Sequence, residues 1–140
     1  MVSFIELQRI SPVGEGLVIP VNGTLIFDSL VSSDGVSIDY DAATGVFTFR
    51  DAGYYYVDWY VAPQFGLTID GSNWAIQTSI GGLTMIGSSH TKVSVTTGFA
   101  IINAAAGETA RLANVSSGDI TLSQAAQSKA AIVVYRIVSI

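Results

Sequence analysis

The chain has 140 residues, 49% of them apolar and only 12% charged, with a net charge of −5 and no cysteine. That length suits one domain spanning residues 1–140, and the lack of cysteine excludes a disulfide framework and a thiolate zinc site. The six basic residues, Arg9, Arg50, Lys92, Arg111, Lys129 and Arg136, form no stripe that could neutralise phosphates, so nucleic acid is not an expected partner.

Met1-Val-Ser-Phe-Ile-Glu opens the chain without the basic start or continuous apolar segment of a secretory signal. Short runs rich in Val, Ile, Thr, Tyr and Phe follow, separated by Gly, Asn, Asp and Ser clusters, which is the pattern of strands joined by turns. Strands are predicted at Phe4–Ile10, Thr24–Phe27, Val36–Tyr40, Val46–Arg50, Tyr54–Ala62, Trp74–Ile80, Val93–Ile102, Thr109–Val115, Ile120–Leu122 and Ala131–Val138. Ten strands and no helical spacing over three turns imply an all-β sandwich or barrel. Turns are expected at Ser33-Asp34-Gly35, Ala43-Thr44-Gly45, Asp70-Gly71-Ser72, Gly81-Gly82 and Ser117-Gly118-Asp119, and Ala104-Ala105-Ala106-Gly107 reads as a tight connection. The most apolar stretch, Ala130 to Ile140, falls well short of the roughly 20 residues of a spanning helix and contains Arg136, so membrane insertion is not expected.

Strand faces carry more information than strand number. Between Tyr54 and Ala62, alternation puts Tyr55, Val57, Trp59 and Val61 on one face and Tyr54, Tyr56, Asp58 and Tyr60 on the other. Ala131, Val133, Tyr135 and Ile137 likewise oppose Ile132, Val134, Arg136 and Val138. A sandwich strand apolar on both sides needs a partner beyond its own core, most economically another copy of the same chain, and a chain this poor in charge has little polar material for a monomer's surface. Trp74 to Ile80 and Val93 to Ile102 look one-sided and are expected to face outward in such an assembly, with Val93, Val95, Phe99 and Ile101 on one face and Ser94, Thr96 and Gly98 on the other.

The stretch Tyr40-Asp41-Ala42-Ala43-Thr44-Gly45-Val46-Phe47, followed by Gly53-Tyr54-Tyr55-Tyr56-Val57-Asp58-Trp59, resembles the signature of the globular head of the first complement component's q subunit. That family shares the tumour necrosis factor jelly roll. Tyr40, Thr44, Gly45, Phe47, Gly53, Tyr55 and Trp59 fall on the pattern, while Val57 replaces its usual Phe. Gly107-Glu108-Thr109-Ala110-Arg111-Leu112 looks like the family's later Gly-acidic-x-x-x-Leu strand, and the apolar last strand is also similar. The C-terminal half is most similar to the heads of bacterial collagen-like spore-surface (exosporium) glycoproteins of the BclA type. The resemblance implies a ten-strand jelly roll, a tight homotrimer, both termini near one base where a collagen-like stalk attaches, and a role in trimerising that stalk and in surface display or adhesion. Collagen triplets are absent from the sequence itself.

Candidate chemistry is sparse. His90, the single histidine, stands in the polar loop Gly87-Ser88-Ser89-His90-Thr91 with no Gly-x-Ser-x-Gly elbow, and reads as a solvated loop residue. Asp39 and Asp41 could form a glycosidase pair, but they lead into the Thr44-Gly45 turn and read as turn-forming. Asp28, Asp34, Asp39, Asp41 and Asp119 match no self-contained calcium loop, and no metal or cofactor is expected. Asn22-Gly23-Thr24 and Asn114-Val115-Ser116 fit the glycan acceptor pattern, which chance supplies often. Tyr54, Tyr56 and Tyr60 could stack sugars or meet another subunit; their place mid-strand, beside a second two-sided strand, favours the interface. Asp58 among these rings should find a partner, for which Arg136 is the candidate in the same or a neighbouring subunit.

The sequence thus points to a non-enzymatic trimerisation and display head at an extracellular, cell or spore surface. Its expected subunit interface is Tyr54, Tyr56, Asp58, Tyr60, Val134, Arg136 and Val138. The alternative is a module that recognises glycans or host proteins through Pro63-Gln64-Phe65-Gly66-Leu67 and Gly87 to Lys92.

Overall fold

The computed structural model describes residues 2–91 and 93–137, so Lys92 and Val138 lie outside the described residues. Strands are the only regular elements among those residues, in fourteen segments: β1 (Phe4–Arg9), β2 (Leu17–Ile19), β3 (Ser29–Asp34), β4 (Ile38–Asp41), β5 (Val46–Phe49), β6 (Gly53–Val61), β7 (Pro63–Gly66), β8 (Ser72–Thr78), β9 (Gly82–Leu83), β10 (Gly87–Ser89), β11 (Thr96–Ala104), β12 (Thr109–Asn114), β13 (Ile120–Leu122) and β14 (Ala130–Arg136).

All pairings are antiparallel. A front sheet runs β11-β6-β14-β1-β3, a back sheet β10-β8-β12-β5-β4 with β9 added to β8, and a small side sheet β2-β13-β7. Front and back stack on one buried cluster that includes Tyr55, Val57, Trp59, Ile132 and Val134 from the front and Phe47, Phe49, Trp74, Ile76 and Leu112 from the back. Ile120 and Leu122 extend it under the side sheet. Sheets facing each other across a single apolar layer bury one side of every strand, and the alternation of β6 meets that demand: Tyr55, Val57, Trp59 and Val61 are all buried.

The structure departs from the expected strands in four places. Thr24–Phe27 makes only a single bridge, Thr24 to Ala113, although Leu25 and Phe27 are fully buried. Its backbone is instead held by single hydrogen bonds to β12 and β4: the Leu25 amide donates to Leu112 O (2.9 Å), and the Phe27 amide to the Tyr40 hydroxyl (2.7 Å). Second, β2, β3, β7, β9 and β10 are added, most of them too short or too polar to stand out, as in Ser29-Leu-Val-Ser-Ser-Asp34.

Third, β11 begins at Thr96 and has the opposite parity: Thr96, Gly98, Ala100, Ile102 and Ala104 face the core, and Phe99 and Ile101 face out. The cause is Trp59, which pairs with Gly98 and lies so close that a Cβ there would sit 2.3 Å from Cζ2 of the indole. Only small residues leave that ring its room. The strand is therefore two-sided, not one-sided. Fourth, Ile80 lies beyond the end of β8 and is largely exposed.

Candidate assembly face

Antiparallel register determines which side chains share the outer face of the front sheet. Glu6, Val133, Asp58 and Phe99 form one row across β1, β14, β6 and β11; Phe4, Tyr135, Tyr56 and Ile101 form the next. Gln8, Ala131, Tyr60 and Thr97 complete the third, and Tyr54 lies beside Asn103 at the end where the chain leaves β14. Phe99 is 54% exposed, Ile101 63%, Tyr54 55% and Tyr135 39%, so large apolar groups lie side by side in water. Contiguous apolar patches of this kind mark contact surfaces.

Within the face, Tyr56 and Tyr135 pack as a tilted pair with centroids 5.1 Å apart. The Tyr56 hydroxyl donates to Asp58 Oδ2 at 3.3 Å. Its phenol is pushed above the usual tyrosine range, first by desolvation and then by the charge and hydrogen bond of Asp58. Tyr60 reaches Ser128 O at 3.4 Å. Glu6 and Asp58 flank Val133 over a depression of about 380 Å³ that also touches Tyr60, Thr97 and Ala131. Together with Asp34, paired with Phe4, they are the charged side chains on the outward positions of these strands, and all are acids.

Two expected interface residues belong elsewhere. Val134 is 1% exposed and faces inward opposite Val57, because on a strand apolar on both sides the register with β6 chooses the buried set. Arg136 shares that parity and opposes Tyr55. Its Nη2 donates to Ala52 O (2.8 Å) and its Nη1 lies 3.8 Å from Asp51, at the rim of the sandwich. It makes no bond to Asp58 of its own chain, which points out of the opposite side. Val138 lies outside the described residues. In their stead the face contains Phe4, Glu6, Phe99, Ile101, Val133 and Tyr135. Val133 and Tyr135 could be singled out only from the register of β14 with β6, and β11 could be assigned only after Trp59 was known to oppose Gly98.

The motif residues build the scaffold. The Tyr40 hydroxyl donates to Phe27 O (2.9 Å) while accepting from Phe27 N (2.7 Å), and burial pushes its phenol up to about 12. Gly45 closes the β4–β5 hairpin at a φ of 77°, a backbone region costly for other residues, and Phe47 packs on Tyr40 with centroids 4.7 Å apart. Tyr55 stacks on Phe49 at 4.3 Å and donates its hydroxyl to Asp51 O at 2.7 Å. Gly53 leaves space for the Arg136 guanidinium, Gly107 turns at a φ of 84°, and Leu112 is fully buried. The acid after Gly107 is a staple: Glu108, 3% exposed, accepts from the amides of Ala105 (2.9 Å) and Gly81 (3.3 Å) and so ties two turns together. Desolvation pushes its carboxyl up, but these hydrogen bonds and those from Thr78 and Ile80 outweigh it and hold it below the usual glutamate range.

The remaining candidates resolve into structural roles. Asp39 pairs with Arg50, and Asp41 accepts from the Ala43 amide at 2.9 Å, within the turn. Asp28 accepts from the Ile10 and Ser11 amides, Asp34 from Gly35 and Asp119 from Val21. Among the described residues no three His, Asp or Glu side chains converge on a metal position. His90 is exposed after β10, and no hydrogen bond links its ring to a serine or an acid among the described residues. Asn114 is fully buried and donates to Ile19, Pro20 and Gly118 carbonyls, which removes it as a glycan acceptor, whereas Asn22 is exposed. The segment proposed for ligand contact, Pro63–Gly66, is β7 of the side sheet, with Phe65 and Leu67 exposed. Beside it an open depression of about 750 Å³, touching Ile10, Val13, Gln64, Gln124 and Gln127, lies at the end of the front sheet away from Phe4 and Tyr135.

No family model matches the chain, and no curated protein matches it significantly. Solved structures do. A crystal structure of murine APRIL superposes with a TM-score of 0.68 at 8% identity over 98% of this chain and 100% of that one. The globular domain of zebrafish complement 1qA gives 0.67 at 12% identity over 98% of each chain. Eiger TNF from S. frugiperda gives 0.66 at 14%, over 99% of this chain and 94% of that one. The architecture of this chain is the tumour-necrosis-factor-like jelly roll shared with the complement 1q head.

Proposed function

We propose that the chain is a non-catalytic head domain that assembles as a homotrimer and is displayed outside the cell on a fibrous, collagen-like protein. The outer face of the front sheet is the observation that supports this reading. It combines Phe99, Ile101, Tyr54, Tyr56 and Tyr135 on one contiguous surface, more exposed aromatic and branched side chain than a solitary domain has reason to keep in water. Closed rotational symmetry is the usual way to cover such a surface with copies of one chain. Phe4 pairs with Tyr135, so β1 begins and β14 ends at the same end of the front sheet, a suitable place for a stalk. Asp28, Asp34, Asp39, Asp41, Asp119 and Glu108 are committed to turns, loops and an ion pair, which supports a structural role.

Sedimentation equilibrium at micromolar concentration tests the reading: a trimer mass is expected, and a monomer would overturn it. A second reading, recognition of a glycan or host protein by loops of the assembled head, is favoured by the 750 Å³ depression and by exposed Phe65 and Leu67 beside it. Three copies would gain avidity from weak sites. Binding to a glycan or protein array that is lost on Gln64→Ala would support it; a blank array would leave assembly alone.

A further inference from the structure

A second apolar surface lies on the side sheet, apart from the face described above. Val18 stands opposite Thr121, and Thr121 opposite Phe65, so the two large side chains flank one row of the outward face of that sheet. Leu67 and Ile69 follow on the connection from β7 to β8, and Val21 joins them through its amide, which donates to Asp119 Oδ1 at 3.0 Å. All five are exposed, Leu67 to 69% and Ile69 to 98%. None of them lines the two depressions described above, so they project instead of enclosing a cavity. Since β7 follows the last residue of β6, the patch lies beyond the Val61 end of the front sheet, whereas Phe4 and Tyr135 mark the opposite end.

The loop that presents these tips is tied down by hydrogen bonds. The Leu67 amide donates to Asp119 O (2.9 Å) and the Ile69 amide to Ser117 Oγ (3.0 Å). Thr68 is buried with its hydroxyl on Gly71 O (2.6 Å), and the Asp70 carboxylate accepts from the Ser117 amide (3.0 Å) and hydroxyl (2.9 Å). Gly118 lets the turn at 117–119 come this close, since a Cβ there would lie 2.1 Å from Leu67 O. A loop whose amides and hydroxyl already have partners can enter an apolar phase without stranding them. Tips that are already fixed also lose little freedom when something covers them.

Projecting tips suit a fluid interface, which needs no shape of its own, better than a protein, which would have to supply a matching cavity. The charged side chains bonded into the patch are the acids Asp70 and Asp119, while Arg111, near Val21, is taken up by Asn22, Thr24 and Gln77. An anionic membrane would repel such a rim, whereas the outward choline groups of a zwitterionic lipid complement it. We propose that the patch formed by Val18, Val21, Phe65, Leu67 and Ile69 docks on zwitterionic, phosphatidylcholine-bearing bilayers, with Leu67 and Ile69 entering the headgroup boundary. Docking of this kind is interfacial and needs no spanning segment. It goes beyond the assembly reading and belongs to each copy, so it holds for one copy or three, with three adding avidity.

Flotation of the whole chain with phosphatidylcholine vesicles tests the proposal. Wild type should rise with the vesicles, and less so when phosphatidylserine replaces part of the lipid. The double variant Leu67→Ser, Ile69→Ser changes exposed side chains only, so its urea midpoint should match wild type while its partition falls about tenfold. Ile69→Trp sets an indole at the tip. Its fluorescence should shift to the blue with vesicles and be quenched by brominated phosphatidylcholine, which the buried Trp59 and Trp74 should not meet. A wild type left below the vesicles would overturn the proposal and leave the patch to an apolar cavity of a protein partner. Partition that survives the double substitution, or that grows with phosphatidylserine, would overturn it as well. The oligomeric state is read separately by sedimentation, so failure here leaves the trimer standing, and a monomer there leaves the lipid surface standing.

Discussion

Replacing Gly98 by alanine should be among the most damaging single changes in this chain, although it adds only one methyl group. The new Cβ would lie 2.3 Å from Cζ2, 2.7 Å from Cε2 and 2.8 Å from Cη2 of Trp59. Carbon atoms prefer about 3.5–4.0 Å, so the indole or β11 must move by about 1 Å or more. Neither has room. Trp59 is 2% exposed and packed between the sheets, and Gly98 itself is met on its other side by Gly87 of β10. Overpacking of a closed core costs about 1–3 kcal/mol, and this geometry belongs at the top of that range. For a chain of this size about 3 kcal/mol corresponds to a fall of about 10 °C in Tm. Urea unfolding at fixed protein concentration, followed by fluorescence, should show the midpoint falling with little change in slope. Trp59→Phe deletes the atoms that clash, so Gly98→Ala should cost much less in that background, and the double-mutant cycle should return a coupling of about 1–2 kcal/mol. A loss below about 0.5 kcal/mol for Gly98→Ala in the wild-type background would refute the reasoning, and with it the account of why β11 turns Phe99 and Ile101 outward.

Glu108→Gln should destabilise by about 1 kcal/mol or more at neutral pH, since a neutral amide is a weaker acceptor for the Ala105 and Gly81 amides. Because the Glu108 carboxyl is held below its ordinary value, its contribution is complete above the ordinary glutamate range and is lost as pH falls through the depressed folded value. The gap between wild type and variant should therefore close in acid, and a gap independent of pH would contradict the staple. Tyr40→Phe leaves the Phe27 amide and carbonyl without their bridge, at a cost of about 1–3 kcal/mol by chemical denaturation. With the folded phenol at about 12, its contribution holds below the ordinary tyrosine range and fades as pH rises through that folded value, so the alkaline melting curve of the variant should be flatter than that of wild type. Production in a glycosylating host should modify Asn22 and never Asn114, as peptide mass mapping can show; a glycan on Asn114 would contradict its burial.

Much of the architecture was legible from the chain because strand parity and turn chemistry are local. On β6 the alternation Tyr54 to Val61 fixed which side is buried, and Gly45, Gly35 and Gly82 lie at turns with φ near 80°. What was not legible depends on neighbours distant in sequence. On β14 both faces are apolar, so Val134 and Tyr135 are equivalent to any local pattern; only the register opposite Val57 and Tyr56 separates core from surface. On β11 the larger residues looked like the core side, but beside Trp59 the core is already occupied and accepts only Gly98 and Ala100, which sets the parity that turns Ile102 in and Phe99 and Ile101 out. Both errors have one origin, that hydrophobicity says a residue avoids water and says nothing about whether its own core or another chain will cover it. The family-like motif misleads in the opposite sense. Tyr40, Gly45, Tyr55, Trp59, Gly107 and Leu112 are recognisable because the jelly roll needs them, and they say little about the contact surface.

Asp58 is where fold and proposed assembly pull against each other. Its carboxylate stands between Phe99 and Val133 in the middle of the apolar face, and Arg136, the base that the sequence suggested for it, is engaged with Ala52 and Asp51 on the other side of the sheet. Among the described residues its one polar contact is the Tyr56 hydroxyl at 3.3 Å. If a second copy covers this face, as the proposed trimer requires, that carboxylate leaves water with a single weak donor, which opposes association. Asp58→Asn keeps the shape and removes the charge, so it should tighten the trimer about tenfold, or about 1.4 kcal/mol, by sedimentation across a concentration series. Asp58→Lys, which retains a charge to be desolvated, should not tighten it. Weakening by Asp58→Asn would mean that the neighbouring subunit brings a base to this carboxylate, and the surface that covers the face would then have to be a charged one.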